Sequence, residues 1–395
     1  MTLDPRQVFL CAHRRTPIGR YAGSLAQVRP DDLATRVIDG LLDLHDVPVD
    51  EVIFGCANQA GEDNRNIARM AVLLSRLGAT VPALTVNRLC ASGLDAVIAA
   101  ARIIRDGAAE VVIAGGVESM SRAPFVMPKA DTAFARTPQI FDTTIGWRFV
   151  HPAMAQAWGT DAMAETAENL AAEHRISRED QDRFALLSQS RYDADWHAQD
   201  ILPVTISGRK GDTSVSTDEH PRATTLEKLA LLPTPFRDPG TVTAGNASGI
   251  NDGAAAVLLA SGAAVRKHRL TPLARLGQAA SGAVAPRIMG IGPVDAAARL
   301  AQRTGRAAQD HEVIELNEAF AAQVLACTRA WGMADDDPRL NAHGGAIAMG
   351  HPLGMSGARL AGTAARRLAE TKARSALVTL CVGVGQGVAL ELLPA

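Results

Sequence analysis

Two stretches of this chain follow the same plan, and that plan leaves few folds open. Ser92-Gly93 opens a segment of helical period that leads, 18 residues on, to the apolar run Glu110-Val-Val-Ile-Ala-Gly-Gly. Ser356-Gly357 opens another that leads, 19 residues on, to Ser375-Ala-Leu-Val-Thr-Leu-Cys-Val-Gly. A helix of that length returning to a buried β-branched run is a right-handed crossover unit, which sets strands side by side in a parallel sheet. Two copies predict an α/β fold made of two similar βαβ halves. Further short runs at Val8–Ala12, Glu51–Gly55, Thr85–Asn87, Val257–Ala260 and Val313–Leu316 read as strands. Segments at Asp31–Leu44, Asn66–Leu77, Pro293–Thr304 and Ala319–Trp331 read as helices. The closing run from Ala376 is interrupted by Gly383, Gly385 and Gly387. It therefore reads as two strands around a turn, not a membrane span.

Between the copies lies a different stretch, residues 119–243, richer in charge, proline and aromatics. Such a segment inside an α/β frame reads as an inserted loop domain that covers a ligand cleft or makes oligomer contacts. The expected division is thus one half from 1–118 with 244–270, the insertion at 119–243, and a second half at 271–395. Forty basic residues against 42 acidic ones, and 4% aromatic residues, exclude a bulk nucleic-acid or membrane-surface binder. The five cysteines, Cys11, Cys56, Cys90, Cys327 and Cys381, contain no Cys-x-x-Cys pair. Reduced thiols in the cytoplasm and no metal site are the expectation. Residues 8–12 are too short an apolar run for a secretory signal.

Three residues carry chemistry, each read as sitting where an apolar strand breaks into a glycine-rich turn. They are Cys90 in Asn87-Arg-Leu-Cys-Ala-Ser-Gly93, His351 in Gly344–Gly357, and Cys381 in Cys-Val-Gly-Val-Gly-Gln-Gly387. Cys90 precedes a helix N-terminus, where the macrodipole favours a thiolate and free N–H groups can hold an oxyanion. The alternative is a structural buried cysteine. His351 is constrained by Pro352 and flanked by glycines; the bland reading is a solvated loop histidine. Asn317 follows the strand Val313–Leu316, where open α/β sheets bind ligands, and it could equally cap the next helix. Two thiols and an imidazole suit acyl transfer coupled to a second proton transfer, whereas a cysteine hydrolase needs one thiol.

Taken together these blocks resemble the thiolase family of acyl-CoA acetyltransferases. The blocks are Arg15-Thr-Pro-Ile-Gly-Arg20, Asn87–Gly93, Gly116-Val-Glu-Ser-Met120, Gly245-Asn-Ala-Ser-Gly-Ile-Asn-Asp-Gly253, Asn317-Glu-Ala-Phe320, Gly344–Gly357 and Cys381–Gly387. Residues 55–66, 142–150 and 218–222 are similar to the family's 3-oxoadipyl-CoA branch from bacterial aromatic degradation. The resemblance implies the thiolase fold, a five-layered α-β-α-β-α arrangement, and a homodimer or homotetramer. It implies a ping-pong reaction in which Cys90, activated by His351, becomes acylated and Cys381 moves the proton at the α-carbon. Backbone N–H groups of Cys90 and Gly383 would hold one oxyanion, and His351 with a water on Asn317 the other. Coenzyme A enters as co-substrate, with no permanently bound cofactor. Ser248 would lie beside its pantetheine, Met163, Phe236, Ala319 and Phe320 around its channel, and Arg222 and Lys228 towards its phosphates.

Two departures from the family pattern stand out: His343 replaces the usual Asn before Gly344-Gly345, and Ala162 stands where some relatives carry a histidine. The competing readings are a generic acetoacetyl-CoA thiolase and a non-catalytic thiolase-like binding protein. A substrate carboxylate would want a cation, for which Arg122, Arg148 and Arg287 are the candidates.

Overall fold

The structure, a computed structural model, describes residues 4–209 and 211–395. In chain order its frame runs β1 (Val8–Arg15), α1 (Pro30–Leu44), β2 (Glu51–Gly55), α2 (Ile67–Leu74), β3 (Ala83–Val86), α3 (Ser92–Asp106) and β4 (Val111–Ser119). Two helices of the middle segment follow, α4 (Met163–Glu173) and α5 (Arg178–Arg191). The remainder is β5 (Asn251–Ser261), β6 (Ala274–Ala283), α6 (Gly292–Thr304), β7 (Val313–Leu316), α7 (Ala321–Ala330), α8 (Leu353–Thr371), β8 (Ala376–Val382) and β9 (Gln386–Leu393).

The strands lie in the order β7-β8-β9-β6-β1-β5-β4-β2-β3, and the two-residue strand Gly19–Arg20 pairs with β5 as a tenth. The duplication is written in this order. Strands β1-β5-β4-β2 pair antiparallel, antiparallel, then parallel. Strands β6-β9-β8-β7 repeat the same sequence of pairings. Among the described residues the two runs pair where Phe9 meets Arg275 and Leu10 meets Ala274.

Side chains alternate across a strand, and here both faces are covered. On β4, Val112 and Ala114 join the core around α3 and α8, while Val111 and Ile113 face α1 and α2. Helix α3 carries Leu94, Val97, Ala101 and Ile104 at helical spacing on its buried face, and Gly107 ends it with φ +84°. Helix α8 brings Leu360, Ala361 and Ala365 to the same core, so both helices form a middle layer between the two halves of the sheet. Leu300 of α6 and Leu325 of α7 cover the far side with Ile314 and Leu377; Leu170 of α4 and Phe184 of α5 extend that layer. The result is α-β-α-β-α. Burying each such Val, Leu or Ile stabilises by roughly 1.5–3 kcal/mol. An Asp at Val97, fully buried in the middle layer, would break it.

Strands β2 and β7 fall on the residues their patterns predict, and helix α3 opens at Ser92 as expected. Helix α2 stops at Leu74, short of Leu77, where Ser75 turns extended. Helix α7 starts at Ala321, because Phe320 is extended and bridges to Ala247. Asn317 is therefore not its cap. Helix α8 begins at Leu353, four residues ahead of Gly357, with Pro352 at its cap. No helix among the described residues is long and apolar enough to cross a membrane.

Candidate active site

The repeated Ser-Gly pairs are where the halves touch. A Cβ on Gly93 would stand 2.4 Å from the Gly354 carbonyl oxygen, and one on Gly357 would stand 2.2 Å from the Leu94 nitrogen. Only hydrogen fits there, so the first turns of α3 and α8 cross in backbone contact. Cys90 stands three residues before Gly93, and His351 three before Gly354. The crossing thus brings the segment that carries Cys90 against the segment that carries His351.

Cys90 lies in a single 3-10 turn, Leu89–Ala91, that joins β3 to α3. Leu89 holds φ +47°, a left-handed conformation costly for a leucine, and its N–H donates to Asn87 Oδ1 at 2.8 Å. Ser92 Oγ accepts from the Arg88 N–H at 2.8 Å and donates to the Leu89 carbonyl at 2.7 Å. The turn is fixed at both ends, and it presents Cys90 to the cleft. Burial pushes the Cys90 thiol up to about 11, against the pull of N–H donation from Gly383 and from Cys90 itself. Burial therefore outweighs the helix end that predicted a thiolate, and deprotonation needs a base.

His351 follows a one-turn helix, Ala346–Met349, and the left-handed Gly350, not a strand end as its sequence setting predicted. Its backbone N–H donates to Asn251 Oδ1 at 2.9 Å. Ser356 Oγ donates to the Pro352 carbonyl at 2.8 Å and lies 2.6 Å from His351 Nδ1. With its proton committed, that hydroxyl accepts from Nδ1–H, which leaves the lone pair on Nε2. Burial, then Arg359, lowers the imidazole to about 3, so it is neutral at physiological pH. Asn317 Nδ2 stands 3.4 Å from Nε2 and 3.5 Å from Nδ1. Asn317 Oδ1 is buried and has no hydrogen-bond partner among the described residues.

Cys381 is the penultimate residue of β8, inside the strand, and is buried against Met289 and Ala319 with Met163 and Phe320 alongside. Burial drives its thiol well above the ordinary range, and the neighbouring Cys90 adds to this. Gly383 opens the turn to β9; its N–H donates to Cys90. Cys90, Gly383 and Met163 line one cleft of about 440 Å³, within the range of ligand pockets. A larger surface hollow between Asp180 and Asp335 holds none of these residues.

The expected coenzyme A residues divide into two groups. Met163, Ala319 and Phe320 surround Cys381, and the Ser248 N–H donates to the Ala319 carbonyl at 3.0 Å. Phe236 and Lys228 are exposed and do not line the cleft. Arg222, also exposed, donates from Nη2 to the Ala244 carbonyl at 2.9 Å. His343 does not support the His351 loop: its ring stacks on Trp196 at 4.1 Å.

Two buried carboxyls escaped the sequence reading. Glu118 accepts N–H donation from Ala57, Asn58 and Gly354, tying the loop after β2 to the first turn of α8. Burial raises it to about 7. Glu318 accepts from Ser188 Oγ, Asn341 Nδ2 and the Ile347 N–H, and so pins the helical turn before His351. Their signal was an acid inside a block of small and apolar residues. Cys56, Asp63 and Glu118 could gather around a cation, but Cys56 Sγ already donates to the Asn58 carbonyl at 2.9 Å.

The comparisons with known proteins agree with this geometry. Residues 8–263 match the model of the thiolase N-terminal domain, and residues 270–393 that of the thiolase C-terminal domain. A β-ketoadipyl-CoA thiolase of Pseudomonas aeruginosa is 58% identical over 98% of this chain and 99% of the relative. The 3-oxoadipyl-CoA/3-oxo-5,6-dehydrosuberyl-CoA thiolase of Escherichia coli is 55% identical over the same shares. The crystal structure of human mitochondrial 3-ketoacyl-CoA thiolase in complex with CoA superposes with a TM-score of 0.90 at 38% identity, covering 100% of this chain and 99% of that one. The chain belongs to the thiolase family.

Proposed function

We propose that this thiolase cleaves 3-oxoadipyl-CoA with coenzyme A to give succinyl-CoA and acetyl-CoA, through an acyl-Cys90 intermediate. His351 Nε2 takes the Cys90 proton as the sulfur attacks the 3-keto carbon. The alkoxide is held by the N–H groups of Cys90 and Gly383. Its collapse breaks the bond between carbons 2 and 3, leaving succinyl on Cys90 and the enolate of acetyl-CoA. The protonated His351 and a water on Asn317 Oδ1 hold the enolate oxygen, and the Cys381 thiol protonates its carbon. Cys381 then takes the proton of incoming coenzyme A, whose sulfur removes the acyl group as His351 returns its proton to Cys90.

The observation that carries this reading is the second buried thiol. Cys381 lies close enough to Cys90 for that thiol to raise it by charge, and burial keeps it protonated; a hydrolase has no use for it. The partnerless Asn317 Oδ1 supports the water. In the same reading coenzyme A passes Ser248, Met163, Phe236, Ala319 and Phe320, with Arg222 and Lys228 towards its phosphates. The two halves frame the cleft, and residues 119–243 cover it and make the contacts of a homodimer or homotetramer in the cytoplasm.

Incubation with acetyl-CoA followed by mass spectrometry should find an acetyl group on Cys90 and none in Cys90→Ala. Cys381→Ala should lose about 10²–10⁴-fold in carbon–carbon cleavage while still forming some acyl-enzyme. Undiminished thiolysis in that variant refutes the role of Cys381. Acetoacetyl-CoA turned over as well as 3-oxoadipyl-CoA by the native protein refutes the substrate.

A further inference from the structure

We propose that Arg148 grips the free carboxylate at the far end of the acyl chain and so sets the substrate preference of the cleft. This rests on the thiolase reading above. Of the three arginines the sequence offered, Arg148 is the one on the wall shared with Cys90 and Gly383, and among the described residues no other Lys or Arg lines that cleft. Arg122 is engaged by Glu62, with contacts of 2.5 and 2.7 Å. Arg287 is 65% exposed and lies 4.0 Å from Asp161, beside a separate hollow.

Arg148 is held in place without a direct ion pair among the described residues, although its charge reaches Asp63. Asn58 Nδ2 donates to both the carbonyl and Oγ1 of Thr143 at 3.1 Å, and Trp147 Nε1 donates to the Asp161 carbonyl at 3.3 Å. These contacts anchor the loop on either side of the arginine. A guanidinium carries five N–H donors. Among the described residues Arg148 makes one hydrogen bond, a long one of 3.4 Å to Asn58 Oδ1. The two carboxyls on that side are already engaged by backbone N–H groups, Glu118 by three and Asp63 by Gly61 at 2.9 Å. Four donors thus remain for a ligand.

The chemistry of the acyl group matches. A succinyl group on Cys90 ends in a carboxylate two methylenes beyond its carbonyl carbon. Enclosing that charge without a partner is costly, and a guanidinium meets it with two parallel N–H bonds. A methyl-ended chain of equal length leaves the guanidinium unmatched, the situation that rejects analogues lacking a polar group.

The test compares 3-oxoadipyl-CoA with 3-oxohexanoyl-CoA, which has the same number of acyl carbons and no carboxylate. Arg148→Gln should lower the ratio of kcat/KM for the first over the second about 10–100-fold, with most of the change in KM. Arg148→Lys should retain part of the preference, since it keeps the charge and loses the fork. Arg287→Gln should leave the ratio unchanged. Turnover of 3-oxohexanoyl-CoA by each variant establishes that it is folded. A ratio in Arg148→Gln within twofold of the native protein overturns the assignment, as does an equal fall in Arg287→Gln. A native protein that forms no acyl-Cys90 from either substrate defeats the thiolase reading instead, which keeps the two failures apart.

Discussion

An imidazole serves as a base only through a nitrogen that has a free lone pair, and here the choice of nitrogen falls to a serine five residues downstream. Ser356 Oγ, its proton given to the Pro352 carbonyl, fixes the His351 proton on Nδ1. Ser356→Ala should therefore lower kcat about 10–100-fold with KM little changed, the scale seen when a supporting hydrogen bond is removed. Steady-state kinetics check this, and an unchanged kcat would show that the tautomer is set elsewhere. At this scale the proposed reacting groups stood out in the sequence: Cys90, His351, Cys381 and Asn317 are chemical residue types set in or beside glycine-rich blocks. Glu118 and Glu318 were not, because their work is to receive N–H groups from distant chain. Gly354 lies 236 residues from Glu118, and no local pattern announces such a partner. Arg148 was one of three indistinguishable arginines until the fold brought one of them alone to the cleft.

At the scale of elements, the site depends on how closely two helices approach. Gly93 touches backbone, not a side chain that might swing aside. Gly93→Ala must then separate α3 from α8, with a cost of about 1–3 kcal/mol for overpacking and a fall in kcat as Cys90 moves from His351. Urea denaturation and turnover should both register it; unchanged values in both would mean that the crossing tolerates a methyl group. The strong periods placed β2 and β7 to the residue and the start of α3 at Ser92, since buried parallel strands and amphipathic helices announce themselves locally. The lead-in to His351 did not. Its glycine-rich residues read as a strand ending in a turn, whereas Ala346–Met349 coil because Glu318 takes the Ile347 N–H. That contact is tertiary, and so is the packing of α4 and α5 on the second half.

Across the whole molecule, five histidines are buried and their protonation is suppressed mainly by burial. His351 and His197 are lowered to about 3, and His13, His220 and His311 to about 4. Unfolded, each binds a proton near 6.5. Between about pH 4 and 6.5 the unfolded chain thus holds more protons than the folded one, and stability falls as pH falls through that window. Each group contributes up to about 1.4 kcal/mol per pH unit. Glu118, raised from 4.5 to about 7, acts in the opposite sense between those values, as do the raised Asp63 and Glu318 to a smaller degree. Asp32, Asp252 and Glu391 are raised as well. The five imidazoles, each lowered from 6.5 to about 3 or 4, span the whole window, so the urea midpoint should drop from pH 6.5 to pH 5. A flat or rising midpoint would show that these histidines are protonated in the folded state.

The duplicated order of strands also has a meaning in time. Cys90 belongs to the half made first, while Asn317, His351, Cys381 and Gly383 all belong to the half made last. Strand β9, which joins β8 to β6 and completes the second half of the sheet, follows every one of them. A growing chain therefore carries the proposed nucleophile long before it holds the proposed base, oxyanion donor or second thiol. On the proposed roles, the full set of reacting groups exists only once the last-made residues are present and α8 crosses α3.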